Sequence, residues 1–214
     1  MNPVLYDYWR SSAAYRLRIA LNLLEIAYET VTVDLLAGAN WHPDNLTRNR
    51  QGLVPTLEFD GLTLTQSLAI LEYLEETRSA GFLPEDPPGR ARVRALAYAV
   101  AMEIHPVLNL SVAKTAVAMS GGKIEMKAWM HAFMPDRLAM LEAMLDHPAT
   151  GPFCHGDQIS MADICLVPQI YNARRWEVDM SHMPRILSIA AALEAVPQIA
   201  AAHPDRVKPA DTDP

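Results

Sequence analysis

Trp9-Arg10-Ser11-Ser12-Ala13-Ala14-Tyr15-Arg16-Leu17-Arg18 joins an apolar alternating run, Val4 to Tyr8, to an amphipathic run that sets Leu17, Ala20, Leu21 and Leu24 on one face. That order reads as strand, tight turn and helix. Ser11 falls where a helix N-cap belongs. The turn then offers unpaired backbone N–H groups, the positive end of a helix dipole, two hydroxyls and a guanidinium. Such a point stabilises an anion, a thiolate included. A plain capping role is the competing reading of Ser11.

Working outward, Tyr28 to Asp34 is alternating and β-branched and predicts a second strand, parallel to the first across the helix. A short helix or turn is expected near Pro43 to Arg48. Leu53 to Phe59, Asp60-Gly61 and Leu62 to Leu64 read as a hairpin, with Pro55 opening its first strand. Gln66-Ser67 precedes a helix with Leu68, Leu71 and Leu74 inward and Glu72, Glu75 and Glu76 outward. The order βαβ-ββα over residues 1–81 predicts a four-stranded mixed sheet with helices packed on it.

Residues 82–89 hold three prolines and two acids and predict a linker. Residues 90–204 contain no convincing strand and predict an all-helical domain, so the fold class is α+β. Arg90 to Met119 is one long helical pattern with a kink expected at Pro106. Gly121-Gly122 breaks it, Ile124 to Leu145 is a second long helix with a bend at Pro135, and a third runs from Met161 past Pro168 towards Arg175. Further helices are expected between Pro184 and Ala202. Ser160 with Asp163 is a capping-box variant, a folding signal. Residues 205–214 are polar and predict a flexible tail.

The formal net charge of −7 argues against a general nucleic-acid binder. No apolar run is long enough to span a bilayer, and the N-terminus lacks a charged-then-apolar leader, so a cytoplasmic protein without membrane contact is expected. Cys154 and Cys165 form no CxxC pair and, with seven scattered histidines, no metal-ligand cluster. Buried reduced thiols and no metal are expected. Thiol chemistry at Ser11 therefore needs a sulfur brought from outside the chain.

Several motifs resemble one family. Arg10-Ser11-Ser12 with Arg16-Leu17-Arg18 resembles the serine motif of zeta-class glutathione transferases, the class of the maleylacetoacetate and maleylpyruvate isomerases. Val54-Pro55-Thr56-Leu57 resembles that family's cis-proline turn, and Gln66-Ser67 through Glu76 its glutathione-carboxylate segment. Ile104-His105-Pro106, Gly156-Asp157 with Ser160 to Asp163, and Ala173 to Trp176 with Val178-Asp179 resemble the class further on. The resemblance implies a thioredoxin-like N-terminal domain, an all-α C-terminal domain, glutathione as cofactor and a homodimer. It implies Ser11 and Ser12 at the glutathione sulfur. It implies Leu53, Val54, Gln66 and Ser67 along the rest of glutathione, and Arg10, Asn109 and Arg175 at a substrate with carboxylates. The chain departs from the class pattern at Ala13, Ala14 and Leu110, which removes hydrogen-bonding groups and a charge. The implied activity is glutathione-dependent cis–trans isomerisation of a maleyl diacid, maleylacetoacetate or maleylpyruvate. The alternatives are a transferase or dehalogenase acting on small electrophiles, and a glutathione-binding scaffold without turnover.

Overall fold

Residues 2–210 are described by the computed structural model, and they open with β1 (Val4–Asp7), α1 (Ser12–Leu23) and β2 (Glu29–Thr32). After a turn of 3-10 helix at Ala39–Trp41 come α2 (Pro43–Arg48), β3 (Thr56–Phe59), β4 (Leu62–Thr65) and α3 (Ser67–Arg78). The sheet has the order β2-β1-β3-β4, with β1 parallel to β2 and antiparallel to β3, and β3 antiparallel to β4. This is the mixed βαβ-ββα sheet that the residue pattern predicts. Asp60 and Gly61 close the hairpin with φ of 52° and 75°, the left-handed pair a two-residue turn requires.

The amphipathic face of α1 does what its spacing implies. Leu17, Ala20 and Leu21 are fully buried, and α1 packs against α3. On α3 the buried face is Ser67, Ile70, Leu71 and Leu74; Leu68, expected inward, is half-buried, so the face is rotated towards Ile70. All four residues of β2 are exposed, because β2 is an edge strand; burial begins beyond it at Val33.

The remaining elements are α4 (Pro87–Tyr98), a π-helical turn at Ala99–Ile104, α5 (Leu110–Met119), α6 (Met126–Met144), α7 (Met161–Arg175), α8 (Pro184–Glu194), α9 (Pro197–Ala201) and α10 (Pro204–Val207). The chain divides into two units: Gly81–Glu194, and a unit that joins the residues up to Ala80 with the segment from Ala195 onward. This corrects two expectations, for the last helices and for the tail. The division itself falls beside residues 82–89, where Phe82 and Leu83 are buried, the Phe82 carbonyl accepts the Met161 amide at 2.8 Å, and Asp86 caps α4. Residues 195–204 belong with the first unit, not the helical one, because α9 packs on α1. Part of the expected tail is helical, as α10; residues 211–214 lie outside the described residues.

In the helical unit Pro106 does more than kink the chain. Proline has no N–H to continue the ladder. The His105 amide bonds back to Val100, five residues earlier, and the helix ends before restarting at Leu110. Pro135 and Pro168 stay inside α6 and α7. The capping box opens α7: the buried Asp163 carboxylate accepts from the Ser160 amide at 2.8 Å, the Ser160 hydroxyl at 2.7 Å and the Cys154 amide at 2.8 Å. Both cysteines are reduced and buried, and burial pushes the Cys154 thiol well above its ordinary pKa. Among the described residues no helix is long and apolar enough to cross a membrane, and no cluster of side chains suits a metal ion.

Candidate active site

The sheet register gathers the predicted residues of the first unit at one end. Tyr6 on β1 pairs with Thr56 on β3, and Thr56 pairs with Thr65 on β4. The turn that follows β1, the segment that enters β3 and the start of α3 after β4 therefore meet at the same edge.

At the turn, the Ser11 amide donates to the Tyr8 carbonyl at 2.7 Å. Ser11 is the N-cap of α1, and its Oγ accepts the Ala14 amide at 3.2 Å. Capping uses an acceptor lone pair; the hydroxyl proton is still free to be donated. Ser12 is the first residue of α1, and its hydroxyl makes no hydrogen bond among the described residues. Arg10 is half-buried, its guanidinium 4.4 Å from the centre of the Trp9 indole.

The Val54–Pro55 bond is cis, as the motif implied, and the Val54 amide and carbonyl make no hydrogen bond among the described residues. An extended peptide can pair with such a backbone edge. Leu53, 40% exposed, is fixed through its carbonyl, which accepts from the Asn49 side chain at 3.0 Å; Asn49 Oδ1 in turn accepts the Gln51 amide at 3.0 Å. Gly52 has φ of 63°, and a Cβ there would come within 2.5 Å of the Trp41 ring, so only glycine fits beneath that indole.

Gln66 has φ of 67° and does not cap α3; its side chain donates to Gln51 Oε1 at 2.8 Å. Ser67, buried, accepts from Arg16 Nη1 at 3.1 Å. A guanidinium thus stands directly behind the first residue of α3, at the helix end that favours an anion.

Asn109 and Arg175 belong to the helical unit. Asn109 caps α5, its Oδ1 accepting both the Ser111 amide and the Ser111 hydroxyl at 3.0 Å, a consequence of the break at Pro106. Its carboxamide oxygen is thereby committed to the cap. Arg175 is exposed in the last turn of α7, its guanidinium 4.9 Å from the centre of the Trp176 ring, while Arg174 pairs with Glu194.

Residues 1–76 match the model of the glutathione S-transferase N-terminal domain, and residues 127–202 that of the C-terminal domain. The chain is 58% identical to a maleylacetoacetate isomerase of Rhizobium meliloti (strain 1021), over 96% of this chain and 98% of that one. The chain belongs to the glutathione S-transferase family. Among solved structures it resembles a maleylpyruvate isomerase described as a bacterial zeta-class glutathione S-transferase. That likeness has a TM-score of 0.92 and 35% identity, over 98% of this chain and all of that one. It also resembles a maleylacetoacetate isomerase from Anaeromyxobacter dehalogenans 2CP-1 with bound dicarboxyethyl glutathione and citrate in the active site. There the TM-score is 0.85 and the identity 40%, covering 100% of this chain and 98% of that one.

In this zeta-class transferase the turn rests on a group that residue types alone did not single out. Arg18 is 1% exposed and holds Asp7 through Nη1 at 2.7 and 2.8 Å, the Trp9 carbonyl through Nη2 at 2.9 Å and the Ala202 carbonyl through Nε at 3.1 Å. The signal was present: Arg16 and Arg18 interrupt an otherwise apolar stretch from Ala13 to Leu21, a pattern that buries charge.

Proposed function

We propose that this chain is a glutathione-dependent cis–trans isomerase of a maleyl diacid, maleylacetoacetate or maleylpyruvate. The observation that carries the reading is the single sheet end where the Ser11 cap, the unpaired Val54 peptide groups and the Arg16-backed Ser67 meet. That set fits glutathione. Val54 pairs with its cysteinyl backbone beside Leu53, and Gln66 and Ser67 take its glutamyl carboxylate at the start of α3. Ser11 and Ser12 face its sulfur. Bound there, glutathione would supply a thiolate nucleophile for reversible addition to the activated double bond, and would not be consumed.

Ser11 donates its free hydroxyl proton towards the sulfur while its lone pair stays on the Ala14 amide. Ser12 adds a second hydroxyl, and the start of α1 adds its dipole. A free thiol titrates near 8.5, and each unit of lowering needs about 1.4 kcal/mol of preferential anion stabilisation, the scale of such donors. Arg10 and Arg175 hold substrate carboxylates, and Asn109 contributes its amide N–H₂ group. The relatives' names and the dicarboxylate-bearing glutathione ligand in one of their structures support this assignment.

The test follows maleyl-to-fumaryl conversion of both compounds while free thiol is counted. Isomerised product with glutathione unspent is the expected result, with Ser11→Ala slowing turnover and raising the titration midpoint of the bound thiol. A conjugate with glutathione spent would instead mark a transferase of small electrophiles, and binding without product a scaffold.

A homodimer belongs to the same reading. Tyr98 and Met102, exposed at the end of α4 and in the π-helical turn, supply apolar surface for it. Sedimentation of a monomer at micromolar concentration would remove the dimer.

A further inference from the structure

The segment from Ala195 onward folds with the first unit, and this brings a lysine to the turn that carries Ser11. Arg18 Nε holds the Ala202 carbonyl at 3.1 Å, and Asn22 Nδ2 holds the Gln198 carbonyl at 3.0 Å. His203 packs edge-on against the buried Tyr15, with ring centres 6.2 Å apart, and its Nδ1 accepts the Asp205 amide at 3.3 Å to start α10. The chain leaves α10 with Lys208 Nζ 5.3 Å from the centre of the Trp9 indole.

Arg10 sits on that same indole. Trp9 is only 6% exposed, and Arg18 holds its carbonyl, so the ring is a fixed platform. A cation within about 6 Å of an indole centre is attracted to it, and Trp9 attracts two. Among the described residues neither Arg10 nor Lys208 has a carboxylate partner. Two like charges held on one rigid ring, with no counter-ion among the described residues, form a preorganised receptor for a dianion.

We infer that Lys208 and Arg10 together bind a dicarboxylate, one cation to each carboxylate, with Lys208 discriminating diacids from monoacids. The inference rests on the isomerase reading and adds to it a substrate-binding residue from the C-terminal segment. Arg10 offers a planar fork for bidentate pairing, and Lys208 a point charge on a flexible stem that reaches carboxylates at different spacings.

The test titrates malonate, and separately acetate, calorimetrically into the glutathione-loaded protein. Lys208→Met is expected to weaken malonate about tenfold, the usual loss for a charge-assisted hydrogen bond, and to change acetate by less than about twofold. Glutathione affinity should not move, and Lys208→Arg should stay within about threefold of the parent for malonate. Should Lys208→Met lose its fold in a thermal melt, Lys208→Gln carries the same comparison. Malonate affinity unaltered in Lys208→Met overturns the inference, and so does an equal loss for acetate, which marks a general attraction of anions. A parent protein that binds glutathione but no malonate overturns the dicarboxylate reading itself, and Lys208 with it.

Discussion

Arg18→Met is expected to destabilise the protein by about 3–5 kcal/mol at neutral pH, because it leaves a buried carboxylate without its partner. Asp7 is 3% exposed and takes both of its short contacts from Arg18 Nη1. In the parent protein burial pushes the Asp7 carboxyl above its ordinary value against the pull of the guanidinium. With the guanidinium gone the upward push is opposed only by the hydrogen bond from the Tyr8 backbone, so folded Asp7 keeps its proton to a still higher pH. Between the parent's value and the variant's, the folded variant binds protons that its unfolded chain has released, and its stability falls as pH rises. The deficit therefore grows as pH rises, read from urea unfolding of both proteins at a series of pH values. Adding Asp7→Leu to Arg18→Met should recover most of the loss, since an apolar pair needs no counter-charge. A deficit under about 1 kcal/mol, or one that does not grow with pH, would mean that Asp7 is solvated or paired elsewhere.

The second large effect is on substrate choice. Arg175→Ala should lower kcat/KM for a maleyl diacid roughly ten- to a hundredfold, the cost of about 1.5–3 kcal/mol for a lost charge-assisted pair. For an uncharged electrophile such as a chlorinated aromatic kcat/KM should barely change. Arg174 is the internal control: it is one residue earlier, about 100° around the helix, and pairs with Glu194. If Arg175→Ala damages both substrates equally, the residue supports the fold or the glutathione site. If neither is damaged, Arg175 holds no carboxylate. A loss confined to Arg174→Ala would move the role to that residue.

Much of the first unit was legible in the sequence because its signals are local. Asp60-Gly61 demands left-handed backbone at two successive residues, and the hairpin forms there. The short helix at Pro43–Arg48 and the long one at Met161–Arg175 fall at their expected bounds, since a proline at the first position and a capping box each fix a start within a few residues. The candidate residues were less evenly legible. Ser11 caps as its position implied, and Ser67 starts its helix as expected. Asn109, read as one turn beyond a kink, became a cap because Pro106 ends the helix instead of bending it.

By itself the sequence determined the order of elements in the first unit, the mixed sheet and the capped turn after the first strand. These follow from periodicity, turn chemistry and caps that span ten residues or fewer. Only the tertiary structure decided that the segment from Ala195 onward joins the first unit, that Arg18 is the buried post under Trp9, and that Lys208 shares an indole with Arg10. Those outcomes depend on contacts such as Arg18 to Ala202, 184 residues apart in the chain. Periodicity shows which face of a helix is apolar, but not which distant segment will cover it, nor which buried cation will find an acceptor.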